Sequence, residues 1–187
     1  MKRVALYLAL LMILICAASC TPSATPDVIT PDTPEETPVI PSDNDENETE
    51  VVNITLYFPD DEALYLYKET REVELNKGTS LEIAVLDELF KGPKSEDLSI
   101  SLYGENLVNS VETKDGVCTV DFKQDFIVLN SGGTTGEGFA IASVVNSLCE
   151  LDGVESVRIL IDGQNDVEFG HTILENIYKP FNELVAE

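Results

Sequence analysis

"LVNSVETKDGVCTVDF", residues 107–122, decides the fold. Leu107, Val108 and Val111 lead into Asp115-Gly116, a pair suited to a tight turn in which both central residues need positive φ. Beyond the turn Cys118, Val120 and Phe122 point one way, and Val117, Thr119 and Asp121 the other. Period-two alternation on both sides of an Asp-Gly pair predicts an antiparallel hairpin with one buried face.

Working outward, "TSLEIAVLDELFKGP" (79–93) predicts a helix before the hairpin. Thr79 or Ser80 caps it, Glu82 lies in its first turn, and Leu81, Ala84, Val85, Leu89 and Phe90 form its apolar stripe. Gly92-Pro93 ends it. After the hairpin, "NSGGTTGEG" (130–138) reads as a loop, with Thr134 and Glu137 spaced as a capping box. A second helix then runs to about Leu151, with Ile141, Val145 and Leu148 inward. "VESVRILID" (154–162) is a strand, and its unbroken Ile159-Leu160-Ile161 predicts a central place in the sheet. Upstream, "NITLYFPD" (53–60) alternates Ile54, Leu56 and Phe58 against Asn53, Thr55 and Tyr57. Two short strands follow at 64–68 and 70–75, and 94–106 reads as irregular loop. The order β, β, β, α, β, β, α, β predicts an α/β (α+β) domain. Its expected form is a small mixed β-sheet with helices packed on one face.

Three zones of composition surround this reading. Residues 1–19 carry Lys2 and Arg3, then an apolar run from Val4 to Ala18, shorter than the roughly 20 residues that span a bilayer. Small residues follow, so 1–19 is expected to be a secretory signal peptide. Ala17-Ala18-Ser19-Cys20 resembles a bacterial lipobox, with Ala17 where Leu is usual. That resemblance implies cleavage before Cys20 and lipidation of its thiol. Ala17 and Ser19 also satisfy the small-x-small rule of ordinary signal peptidase, which would cut the same bond. Two acyl chains anchor a protein stably, where one binds only marginally.

Residues 20–50 form the second zone. They contain nine acids and no base, and six of the chain's nine prolines lie between 21 and 50. Few apolar groups are present to offset ordering, so an extended disordered tether is expected. The third zone, 51–181, is the expected domain, with 182–187 left as a C-terminal tail. Lipidation would place that domain on the extracytoplasmic face of a cell membrane.

The formal net charge is −24, from 35 acids against 11 Lys and Arg. Such a chain is poorly suited to phosphate backbones, which excludes nucleic acid as a partner. It favours cationic partners.

Several stretches together resemble the GerM domain, the sporulation and germination module. They are "LYFPDDEALYLYKETREVEL", "LDELFKGP", "VETKDGVCTVDF", "ASVVNSLCELDGVESVRILIDG" and "GHTILENIYKPF". The matching features include Tyr57-Phe58, Glu69, Arg71, Gly92-Pro93, Gly116, Val120-Asp121, Asp162-Gly163 and Gly170-His171. The resemblance spans about 51–181. It implies a fold similar to ring-building modules, no enzymatic activity, and a role in extracytoplasmic assembly or protein–protein contact.

The search for reactive chemistry yields little. His171 is the single histidine. It is expected to bond a backbone group near the chain's exit from the last strand. The loop 130–138 lacks a phosphate-binding pattern. "DGQNDVE" offers oxygen ligands at Asp162, Gln164, Asp166 and Glu168, a weak Ca²⁺ alternative without the glycine and glutamate of a calcium loop. No cofactor is expected. Cys118 and Cys149 form either a disulfide or two small apolar core residues. Glu69 and Arg71 share a strand face, as a surface ion pair or as a specific intermolecular contact. The leading expectation is a lipid-anchored binding or assembly module with protein partners or self-association. The alternative is an extracytoplasmic ligand receptor or hydrolase using Asp121, Asp162, Asp166 and His171.

Overall fold

The computed structural model describes residues 49–187. The expected signal peptide 1–19, Cys20 and the expected tether up to residue 48 lie outside the described residues. Glu50 already belongs to the first strand, β1 (Glu50–Pro59), which pairs antiparallel with β2 (Leu66–Leu75). The two strands expected at 64–68 and 70–75 are therefore one. Its register against β1 is continuous, although burial shifts phase between Leu66 and Arg71.

Helix α1 (Leu81–Phe90) starts where its cap predicts: the Ser80 hydroxyl accepts from Ile83 N. Ala84, Val85, Leu86 and Leu89 are buried. β3 (Val108–Lys114) and β4 (Val117–Phe122) form the expected hairpin, and its turn residues Asp115 and Gly116 have φ of 51° and 79°. Cys118, Val120 and Phe122 are fully buried.

A short helix, α2 (Asp125–Asn130), precedes α3 (Thr134–Leu148) and occupies a stretch that the sequence reading leaves almost wholly unassigned, between the hairpin and the loop. β5 (Ser156–Ile161) pairs parallel with β4, so the order β3-β4-β5 puts β4 in the centre and β5 at an edge. Its apolar continuity has another cause. The outer rim of β5 is sealed by Tyr178, whose backbone exchanges two hydrogen bonds with Val157, of 2.9 and 2.8 Å. A capped edge is protected from outside pairing much as a central strand is. β6 (Glu168–Phe169) and β7 (Thr172–Ile173) complete the strands of the described residues.

The class is α+β, as expected, but the strands divide into three hydrogen-bonded sheets: β1-β2, β3-β4-β5 and β6-β7. The reason lies in α3. From Phe139 to Leu148 every residue is buried, and α3 packs against β1, β5 and β7, one strand from each sheet. A helix without a polar face must be enclosed on all sides. Its few polar groups are mostly spent on neighbours. The Ser147 hydroxyl accepts from Tyr57 N at 2.9 Å, and the Asn146 side-chain oxygen accepts from Phe181 N at 2.8 Å.

Aromatic rings continue the core. Phe122 stacks on Phe126 at 4.2 Å, Phe126 lies 5.5 Å from Phe169, and Phe90 meets Phe122 edge-on. Residues 182–187, set apart as a tail, dock on the domain. Leu184 and Val185 pack against Tyr57, Leu66, Phe139 and Ala142, and Ala186 N donates to Leu66 O at 2.9 Å.

Candidate functional site

The pair Glu69 and Arg71 lies on β2, two residues apart. Arg71 is only 2% exposed, which rules it out as an intermolecular contact. Its guanidinium instead binds inward on four acceptors. Nε donates to Glu69 Oε1 at 2.7 Å, and Nη1 to Glu88 Oε2 at 2.9 Å. Nη1 also reaches Glu88 O at 3.0 Å, and Nη2 reaches Gly92 O at 2.5 Å. The last two are carbonyls at the C-terminal end of α1, where the helix dipole is negative and a cation is favoured. The ring of Phe58 covers the other side, 5.3 Å from the guanidinium carbon.

Glu69 completes the clasp, since Oε2 accepts from Lys94 N and Ser95 N. Burial pushes the Glu69 carboxyl up, but Arg71 and the two backbone donors outweigh it and hold it below the ordinary value. Glu-x-Arg and Gly-Pro therefore form one device that fixes β2 to the end of α1.

A second device joins α3 to the β6–β7 turn. Thr134 and Glu137 do not form a capping box: α3 begins at Gly133 without a side-chain cap. The Glu137 carboxylate is fully buried and turned away from its own helix end. It accepts from His171 N at 2.9 Å and Thr172 Oγ1 at 3.2 Å, and lies 3.2 Å from His171 Nδ1. Desolvation raises its pKa, yet these donors bring the net value below the ordinary one. His171 thus bonds a carboxylate rather than a backbone group. Its own ring is 71% exposed.

The remaining candidates are scattered. Asn109 gathers Asp162 at 3.0 Å and Asp121 at 3.5 Å, and Asp121 also accepts from Gly163 N at 2.8 Å. Asp166 and Glu168 are exposed. Among the described residues no group of three or more His, Cys, Asp or Glu side chains is placed to hold a metal, so the weak Ca²⁺ reading of Asp162, Asp166 and Glu168 finds no cage. Cys118 and Cys149 are free thiols, each pushed up to about 11 by burial.

Sequence reasoning missed a third cluster. Tyr57 OH donates to Glu150, which Lys68 also meets at 2.9 Å, and the Lys68 ammonium sits 5.4 Å from the Tyr57 ring centroid. It also missed a cleft of about 260 Å³ lined by the turn after β1, the loop 99–103 and the segment between α2 and α3. The only clue was unspent apolar residues, Ile100, Tyr103 and Leu129, in stretches read as loop or left unassigned.

The fold and site define a small α+β domain whose signature polar residues clasp its own elements. Residues 55–167 match the family described as "Germane: Sporulation and spore germination", and the chain belongs to that family. Among solved structures, the chain is similar to the tandem GerMN domains of the sporulation protein GerM from Bacillus subtilis. Identity is 22%, 78% of this chain and 48% of that one are covered, and the TM-score is 0.51. The chain thus spans about half the length of that tandem protein. The first GerMN domain of the same protein matches at 21% identity over 71% of this chain and 98% of that one, with a TM-score of 0.54. No curated protein matches the sequence.

Proposed function

We propose that this chain is a lipid-anchored, extracytoplasmic GerM-type protein, held by Cys20 at the outer face of the cytoplasmic membrane. There it acts as a binding or assembly module in sporulation, germination or envelope assembly, without enzymatic chemistry of its own. One observation carries the reading: the family-matching Glu69 and Arg71, together with Glu137, are consumed inside the fold, while apolar side chains remain outside. Arg71, Glu69 and Glu137 are structural, whereas Tyr65, Tyr67, Tyr103, Val128 and Leu129 are exposed. A surface of that kind suits contact with another protein.

The hydrolase reading has one point in its favour. Glu137 orients His171 through Nδ1, leaving Nε2 to solvent, as a general base requires. Yet Asp121 and Asp162 are assembled elsewhere around Asn109, and among the described residues no hydroxyl or thiol is bonded to the histidine; the nearby Thr172 hydroxyl donates to Glu137.

The test has two arms. Mass spectrometry of the protein from membranes should show an acylated Cys20 as the first residue, and Cys20→Ser should release it. Cross-linking on intact cells should recover a fixed protein partner or a self-complex. An unlipidated mature protein that repeatedly recovers neither would refute the proposal.

A further inference from the structure

The cleft beside the turn after β1 is unused by any device described above. Its charged lining groups are both carboxylates, Asp60 and Asp61, and no Lys, Arg or His contributes. Asp60 holds its own turn, with Oδ1 accepting from Leu64 N, and Asp61 Oδ1 accepts from Ser99 Oγ. Each carboxylate retains a second oxygen. The walls are apolar, from Ile100, Tyr103, Leu129 and Phe139. Ser101 also lines the cleft. It is 8% exposed, and its hydroxyl has no hydrogen-bond partner. A buried hydroxyl left unmatched is costly and rare, and this one lies behind the wall with its oxygen shielded from solvent.

We infer that this cleft receives a basic side chain, Lys or Arg, from a partner polypeptide. The inference rests on the binding role proposed above. The carboxylates select positive charge, and the aromatic and aliphatic walls accept the apolar stem. A cation over Tyr103 gains further from the ring face. The cleft is smaller than a typical pocket for drug-sized ligands, which suits one long side chain. The chain's excess of 35 acids over 11 bases matches a cationic partner. An anion at the start of α3 is disfavoured by the same two carboxylates.

The experiment titrates the isotopically labelled full chain with four probes: the N-acetyl methylamides of lysine, arginine, norleucine and glutamate. The lysine or arginine probe should saturably shift the amide signals of residues 99–103 and 130–136. It should bind at least tenfold more tightly than norleucine or glutamate. Asp61→Asn and Tyr103→Ala, both at exposed positions, should each weaken it several-fold while leaving the rest of the spectrum unchanged. Equal binding of norleucine or glutamate, shifts spread over the whole acidic surface, or indifference to both variants would overturn the inference. Diaminopentane serves as the source control: binding tenfold tighter than the blocked lysine would assign the cleft to free amines and overturn the polypeptide partner. A cellular partner cross-linked equally well to the Asp61→Asn protein would leave the binding function standing and remove only the cleft from it.

Discussion

Gly170 lies so close to Glu137 that a β-carbon built on it would fall 2.0 Å from Oε1. The Gly-His pair is therefore explained as a unit. The glycine leaves space for a buried carboxylate and adopts a φ of 60°, and the next residue supplies the backbone N–H that binds it. Gly170→Ala should destabilise the domain by about 2–4 kcal/mol, from the clash together with left-handed strain. In a Glu137→Ala background the clash disappears, so the alanine should then cost only its backbone strain, about 1–2 kcal/mol. Urea denaturation of the four proteins in the cycle measures the coupling.

Arg71→Leu should cost about 3–5 kcal/mol, because Glu69 and Glu88 would be left facing each other without their shared cation. Arg71→Lys should recover little of this, since an ammonium cannot present a planar fork to two carboxylates and two carbonyls. Thermal melts check both, and proteolysis should start at residues 92–95, where the clasp holds the chain.

Acid should loosen the domain. The carboxyls of Glu69, Glu88, Glu137 and Glu150 all lie below their ordinary value of 4.5 when folded. A depressed folded pKa contributes stability that is fully present above the unfolded value and is lost as pH falls through the folded one. Stability should hold constant with respect to these groups above about pH 5 and decline below 4.5. Glu137→Gln should lower the plateau and flatten the decline, which melts between pH 3 and 7 resolve.

Alkylation of the native protein at pH 8 should be slow at Cys118 and Cys149, because thiols pushed up to about 11 hold little thiolate there. In denaturant without reductant both should label fully, as read by peptide mass. A protected pair released only by reductant would show a disulfide in place of two free thiols.

What the sequence revealed follows from the range of the interactions. Period-two alternation around Asp115-Gly116 and the Ser80 cap are local signals, so β3, β4 and α1 were legible. Six residues of α2 contain less than two full turns, too few for helical periodicity to emerge. The two clasps escaped because they are settled across the chain. Glu137 sits where a capping residue belongs, and only packing against β6–β7 shows that it serves His171. Arg71 looked exposed because charged residues flank it on β2, and nothing local announces that α1 will end on top of it. β5 carried the apolar run of an interior strand because the Tyr178 segment does for its rim what a neighbouring strand would do.

The bond from Ala186 N to Leu66 O sets an order of events. Strand β2 cannot be finished by its own neighbourhood, since one of its acceptors waits for nearly the last residue of the domain. During folding, the front hairpin therefore keeps that acceptor unmatched until the C-terminal segment has swung back to latch it. Maturation should be governed by that late closure rather than by the quick local turns that precede it.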